Sequence, residues 1–229
     1  MVQSSSVTLH LSAVCAMTYG YNALHSLSIS SWINSQYGGH FQFLTIQGLA
    51  VAWMTMVVGL VEDFFPSIKG IRATKRALFI AAMPIATIVS SIYWTLLLAY
   101  PHLIMQAMPE DSAVIVGLPL RIDLALHAVP CLALLSDFMI FERRYGRKAI
   151  TFTAPALTLV LTVWYAWWAE HCARKNGTFP YPFLTMNPIE IRCRIYAGVG
   201  TVACLSFYAL NALHPKSRRI DGRRKGTMI

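Results

Sequence analysis

Long apolar runs dominate this sequence and restrict the folds that it can adopt. Runs of roughly 20 residues recur along the 229-residue chain, and each is long enough to cross the ~30 Å hydrocarbon layer of a bilayer. Only 13% of the residues are charged, whereas soluble domains usually carry about 25%. In lipid every backbone polar group needs an internal partner, so uniformly apolar segments of this length form helices and not barrel strands. The sequence therefore predicts an all-α integral membrane bundle.

Six apolar runs define the predicted transmembrane helices, and a basic segment follows the last of them. The predicted spans are Thr8–Ser28, Phe43–Asp63, Ala77–Ala99, Ile122–Phe141, Ala149–Ala169 and Ile191–Leu213. The loops between them are too short for a separate soluble domain. We therefore predict a single six-span transmembrane domain over residues 1–229, of which residues 214–229 form a basic cytoplasmic tail.

The distribution of basic residues predicts the orientation of this bundle. Fourteen of the 19 Lys and Arg residues lie in the second loop, the fourth loop and the tail. Because Lys and Arg favour the cytoplasmic side, both termini are expected in the cytoplasm. Topology and contact with anionic lipid headgroups account for the net charge of +9, so nucleic acid is not an expected partner. The expected location is the endoplasmic reticulum or the plasma membrane.

Two ionisable residues in predicted span four form a candidate functional pair. Ionisable side chains in hydrocarbon cost about 3 kcal/mol on insertion scales, so each is a candidate for function. Asp123 precedes His127 by four residues and therefore lies on the same helical face. Such a carboxylate can fix the imidazole tautomer and raise its basicity. The alternative is structural, with Asp123 solvated at the interface and His127 bonded to a neighbouring helix.

Thr45 lies in the first turns of predicted span two, directly after the glycine-containing stretch "YGGHFQF". Threonine commonly packs in transmembrane helices and bonds to its own backbone, which gives a structural alternative for this residue. However, the unpaired N–H groups and the positive dipole end of a helix N-terminus suit an oxyanion. Spans two and four begin in the same leaflet, so Thr45 and His127 each lie roughly 5–10 Å below the outer boundary. A threonine nucleophile with a histidine base is therefore feasible.

Five motifs follow one another in order along nearly the whole chain. They are "YGGHFQFLT", "MPIATIVSSIYW", "DLALHAVP", Asp137 ten residues after His127, and "FPYPFL". Together they resemble the androgen-induced gene 1 family of six-span membrane proteins. The resemblance implies an intramembrane hydrolase of fatty acid esters of hydroxy fatty acids. It implies Thr45 as the nucleophile and His127 as the catalytic histidine, with neither metal nor cofactor. Asp123 is then a supporting residue for His127.

The expected partners are the lipid ester substrate and the bilayer from which it enters. The free carboxylate of such a substrate needs a cation at the outer boundary, for which Arg121, Arg192 and Arg194 are the candidates by predicted depth. The sequence departs from the family pattern at Leu124, where close relatives carry a second histidine, and at Pro130, which follows His127 more closely than the family proline does. These departures bear on substrate preference.

Three other functions remain open from the sequence. A haem-binding membrane redox protein would use two facing histidines, but only His127 is clearly interior. A small transporter would be expected to contain repeated halves or broken helices, and neither is evident. A catalytically inactive membrane scaffold would keep the fold and act through protein partners.

Overall fold

Helices make up most of the structure, a computed structural model that describes residues 4–105, 107–108, 111–115 and 117–215. The helices are α1 Ser4–Leu24, α2 Ser28–Ser35, α3 Leu44–Phe64, α4 Lys69–Ala99, α5 Leu120–His127, α6 Val129–Ile140, α7 Ala154–Asn176, α8 Pro182–Thr185 and α9 Ile189–Leu213. Two 3-10 turns span Gly39–Gln42 and Pro101–Leu103, and a π-helical turn at Ala149–Thr153 leads into α7. A short antiparallel hairpin between α4 and α5 pairs β1 (Ala107–Met108) with β2 (Asp111–Ile115). The predicted all-α class is confirmed.

Four helical segments of the described chain are long and apolar enough to cross a membrane. They are Leu44–Phe64, Lys69–Ala99, Ala149–Asn176 and Ile189–Leu213, and α5 with α6 meets the same criteria as a bent pair. By length and composition, the described residues thus contain four candidate spans, or five if the bent pair counts as one. Helix α1 has 21 residues, but hydroxyl, amide and imidazole side chains interrupt its apolar character. The membrane bundle is confirmed, whereas the predicted count of six is not.

The predicted fourth span is bent where Pro130 enters the helix. Helices α5 and α6 meet at Ala128 with an angle of 42° between them. Proline has no N–H for the helical hydrogen bond, and its ring clashes with the preceding turn, so a bend is the expected response. The bend leaves His127 as the last residue of α5.

Two other helices extend beyond the predicted spans. Helix α4 begins at Lys69, eight residues before the predicted start at Ala77, because its first two turns carry basic residues that pair with carboxylates of other elements. Helix α7 continues to Asn176, and Gly177 ends it with a left-handed backbone at φ 74°. Gly38, at φ 86°, likewise supplies the left-handed turn before the 3-10 segment that leads into α3.

The core lies among α1, α3, α4, α5 and α6, and α7 packs beside it against α9. Its largest fully buried side chains include Phe79, Phe138 and Met56. Apolar residues of α7 such as Leu159, Val160 and Val163 point outwards and are more than half exposed. An apolar face of this kind is expected where a helix contacts lipid.

A buried ionic network joins α1, α3, α4 and α6, and we call it the ionic network below. His10 Nδ1 lies 2.6 Å from Asp63 Oδ2, and His10 Nε2 lies 3.2 Å from Asp137 Oδ2. Lys75 Nζ lies 2.9 Å from Asp137 Oδ2 and 3.1 Å from Glu142 Oε1. Buried charges are tolerated only when paired in this way. The network fixes one end of the bundle.

Candidate active site

Thr45 is the second residue of α3 and is half-buried. The left-handed glycines Gly38 and Gly39 and the following 3-10 turn bring the chain to the start of this helix. The prediction that Thr45 lies in the first turn of its helix is confirmed. Its side chain lines two neighbouring cavities of the bundle.

The N-terminus of α3 is capped by a tyrosine from a distant loop. The Leu44 N–H donates a hydrogen bond of 3.1 Å to the Tyr181 hydroxyl oxygen, and Tyr181 also hydrogen-bonds with the backbone and side chain of Thr45. The first amides of α3 are therefore already paired, whereas the sequence predicted them to be free for an oxyanion. Desolvation raises the pKa of the Tyr181 hydroxyl, and the hydrogen bonds with Thr45 oppose that shift.

His127 and Asp123 form the predicted pair. His127 Nδ1 lies 2.7 Å from Asp123 Oδ1, and both side chains are buried. Since Nδ1 is occupied by the carboxylate, this contact leaves Nε2 as the nitrogen for accepting a proton. The Tyr93 ring stacks on the imidazole with 3.4 Å between ring centroids and an interplanar angle of 5°. Tyr93 also hydrogen-bonds to Asp123, so two neighbours hold the imidazole orientation.

The smaller cavity, of about 140 Å³, is lined by both the predicted nucleophile Thr45 and the predicted base His127. Tyr93, Tyr181 and His40 line it as well. Five polar side chains thus converge in a space otherwise enclosed by apolar residues. Convergent polar groups in a mostly apolar cleft are typical of ligand sites.

The larger cavity, of about 280 Å³, lies between α3, α4, α7 and α9. Its walls are largely apolar and include Pro84, Ile88, Leu161 and Val199. It shares four lining residues with the smaller cavity, namely Thr45, Tyr93, Ile104 and Tyr181. Thr45 is therefore placed where the larger, apolar cavity meets the smaller cavity with its five polar side chains.

His40 contributes a neutral imidazole to the smaller cavity. Its Nε2 lies 2.8 Å from Ser30 Oγ, and the His25 ring packs edge-on at 4.9 Å between centroids. Burial, with a smaller contribution from His25, lowers the pKa of His40 to about 4. Within the part of the chain that the structure describes, no group of three or more His, Cys, Asp and Glu side chains is arranged to hold a metal ion.

The comparison with protein families gives a direct assignment. The family model described as FAR-17a/AIG1-like protein matches residues 5–215, which is nearly the whole chain. The chain belongs to this family. The match confirms the resemblance drawn from the five motifs, two of which contain Thr45 and His127.

Two fungal members of the family are similar to this chain over most of their length. A UPF0641 membrane protein of Schizosaccharomyces pombe is 31% identical over 215 residues, covering 92% of this chain and 91% of the relative. A UPF0641 membrane protein of Saccharomyces cerevisiae is 24% identical over 222 residues, covering 91% of each chain. No solved structure matches the chain.

The three arginines predicted to bind a substrate carboxylate do not line either cavity of this family member. Arg192 is held by Glu170, with Nε to Oε1 at 2.7 Å and Nη2 to Oε2 at 2.9 Å, and its guanidinium lies over the Phe179 ring. Arg121 and Arg194 are exposed. The direction of a side chain around its helix depends on packing, which depth predicted from the sequence does not specify.

The sequence analysis did not identify three residues of the site, namely Tyr93, Tyr181 and His40. Tyr181 lies within the quoted motif "FPYPFL", where a tyrosine between two prolines in a loop is a signal for a fixed position. Tyr93 belongs to the motif "MPIATIVSSIYW" and follows Pro84 by nine residues. His40 lies in the "YGGH" turn, and its position in a loop indicated solvation, whereas the structure buries it.

Proposed function

We propose that this chain is an intramembrane hydrolase of lipid esters, with Thr45 as the nucleophile and His127 as the base. The observation that carries the proposal is that Thr45 and His127 line one cavity, which adjoins a larger apolar cavity, and that Asp123 holds the His127 imidazole from behind. A nucleophile, a base and an orienting carboxylate are the groups that acyl transfer requires. The proposed substrates are the fatty acid esters of hydroxy fatty acids that the family resemblance implies.

The proposed reaction proceeds through an acyl-threonine intermediate. Thr45 Oγ1 attacks the ester carbonyl carbon while its proton moves to His127 Nε2. The tetrahedral intermediate then expels the alkoxide of the hydroxy fatty acid, which takes the proton from His127 as it leaves. A water molecule next attacks the acyl carbon and gives a proton to His127. Thr45 Oγ1 leaves, takes that proton, and the free fatty acid is released.

The larger cavity is suited to the acyl chain of such a substrate. Its walls are apolar and it adjoins Thr45, so an acyl chain inside it would bring the ester carbonyl to the nucleophile. Apolar pockets with a few polar groups at one end are the usual form of lipid and small-molecule sites. We further propose that both termini face the cytoplasm and that the protein resides in the endoplasmic reticulum or the plasma membrane.

Substitution of Thr45 tests the proposal. Thr45→Val keeps the shape and removes the hydroxyl, so the purified protein should fold but lose both ester hydrolysis and covalent labelling by a fluorophosphonate probe. Thr45→Ser keeps an oxygen nucleophile but loses the methyl group that restricts its rotamers, so partial activity and labelling should remain.

Thr55→Val is the matched control, because it makes the same change in the same helix. The Thr55 hydroxyl donates to the Val51 carbonyl at 2.7 Å and lines neither cavity. Hydrolysis and labelling by this variant should therefore match the wild type. Near wild-type hydrolysis by a folded Thr45→Val protein would refute the catalytic assignment.

A further inference from the structure

The Tyr181 hydroxyl is bound in a way that leaves its proton available. Its oxygen accepts the Leu44 N–H at 3.1 Å, and it also hydrogen-bonds with the Thr45 backbone and with the hydroxyl groups of Thr45 and Tyr165. A phenol has one proton to donate and two lone pairs to accept with. Amide donors occupy the lone-pair side, so capping α3 does not consume the O–H proton. That proton can be donated to a group beside Thr45.

The position of this hydroxyl matches the place where negative charge would develop. It hydrogen-bonds with the Thr45 side chain, and Tyr181 lines both cavities at their junction. An ester carbonyl within reach of Thr45 Oγ1 is therefore also within reach of the Tyr181 hydroxyl. The positive end of the α3 dipole lies directly behind the phenol oxygen, which strengthens its O–H as a donor.

The surrounding residues hold Tyr181 rigidly. Pro180 and Pro182 flank it in the chain and restrict the backbone on both sides. The Phe43 ring packs edge-on at 5.7 Å, and the Phe183 ring stacks at 5.5 Å between centroids. A donor that is fixed before the reaction stabilises a transition state without reorganisation.

We propose that Tyr181 is the oxyanion-stabilising residue of the site, an inference that rests on the proposed hydrolase function. As the bond from Thr45 Oγ1 to the carbonyl carbon forms, the C=O π pair moves onto the carbonyl oxygen, and the Tyr181 O–H donates a hydrogen bond to it. When the tetrahedral intermediate collapses, that pair reforms the C=O bond and the C–O bond to the alcohol breaks. The Tyr181 proton stays on its own oxygen throughout. Desolvation raises the pKa of Tyr181, which keeps the phenol protonated at neutral pH.

Tyr181→Phe in the full-length protein is the first test, because it removes only the hydroxyl. Loss of a single oxyanion donor lowers kcat by about 100- to 1,000-fold in enzymes of this type, and we expect this range with KM little changed. Fluorophosphonate should still label Thr45, at a rate reduced by a similar factor. Tyr196→Phe is the matched control, since Tyr196 lines only the larger cavity and its hydroxyl donates to Glu170 Oε1 at 3.4 Å. Its kcat should stay near the wild-type value.

The number of sites that the phosphonate labels gives the amount of folded, competent enzyme. Dividing the rate by this number separates a role of Tyr181 in catalysis from a role only in capping α3. If Tyr181 only caps α3, Tyr181→Phe lowers the melting temperature but leaves kcat per titrated site close to wild type, which overturns the inference. If Tyr181→Phe does not fold, fluorotyrosine at position 181 takes its place. Fluorination lowers the pKa of the phenol, so the loss of activity at alkaline pH should begin at a lower pH than in the wild type. A pH–rate profile whose alkaline side is unchanged would also overturn the inference.

Failure of the proposed function has a different signature. A wild type that hydrolyses no lipid ester, or a fully active Thr45→Val protein, refutes the hydrolase proposal and the role of Tyr181 together. An inactive Thr45→Val protein combined with a fully active Tyr181→Phe protein refutes only the role of Tyr181.

Discussion

Removal of the Lys75 charge should destabilise the bundle more than any surface charge substitution. The Lys75 side chain is 3% exposed and contacts Asp137, which is fully buried, and Glu142. Lys75→Met keeps the length and apolar stem of the side chain but deletes the ammonium group. Two buried carboxylates then lose their shared cation at 2.9 and 3.1 Å. Asp137 then keeps its contact with His10 at 3.2 Å, and Glu142 keeps its contact with Arg76 at 2.8 Å.

The size of the effect follows from the burial of the partners. Removing one member of a buried ion pair costs about 3–5 kcal/mol, since the other charge is left uncompensated. For a chain of about 150–250 residues, each kcal/mol lowers the melting temperature by about 2–4 °C. Lys75→Met should therefore lower the melting temperature in detergent by about 6–20 °C. Adding Asp137→Asn should restore part of the loss, because it removes one of the two carboxylates that shared the ammonium group.

The assay is thermal unfolding of the purified protein, followed by circular dichroism, with Arg72→Met as the control. Arg72 donates to Glu62 at 2.6 Å, as close a contact as any in the network, but it is 54% exposed. Solvent screening limits such a pair to about 1 kcal/mol or less, so this variant should unfold near the wild-type temperature. Equal melting temperatures for Lys75→Met and Arg72→Met would show that burial does not set the strength of these interactions, and the reasoning would fail.

Three further outcomes are expected. His127→Ala should abolish ester hydrolysis, whereas Asp123→Asn should lower kcat by a smaller factor because an orienting hydrogen bond survives in part; equal and complete loss in both would indicate a structural pair. The fold lowers the pKa of His40 from 6.5 to about 4. The neutral His40 imidazole therefore makes its full contribution to the free energy of unfolding above pH 6.5, and this contribution, at most about 3 kcal/mol, is lost as the pH falls from 6.5 to about 4. Urea titrations at several pH values should show this loss in the wild type and a smaller one in His40→Gln. Protease added to the cytoplasmic side of sealed membranes should remove residues 216–229, which lie outside the described residues, and protection of this tail would contradict the proposed orientation.

Much of the fold was predictable because it depends on local sequence. Apolar runs of membrane-spanning length determine helices wherever lipid surrounds the chain. The contact between Asp123 and His127 follows from helical spacing alone, and the position of Thr45 follows from the glycines before its helix. Each of these features depends on residues at most a few positions apart, so periodicity and turn chemistry suffice to predict it.

Helix α1 shows what composition alone leaves open. Residues 4–24 form a helix of sufficient length, and two of its polar side chains, Ser6 and His10, are buried in the bundle, His10 within the ionic network. A helix buried against other helices can carry polar groups that a helix facing lipid cannot. Whether a polar residue faces protein or lipid is set by packing, and hydropathy along the chain does not contain that information.

Partners between helices were decided only by the tertiary structure. The sequence showed acidic residues at the helix ends and arginines near the outer boundary, but it did not pair Arg192 with Glu170 or Asp137 with Lys75. The same holds for the site, where Tyr181 reaches Leu44 from 137 positions away and Tyr93 stacks on His127 from another helix. Such contacts depend on the rotation and depth of each helix relative to its neighbours. The sequence determined the helices and the local Asp123–His127 pair, whereas packing determined which distant side chains complete the site.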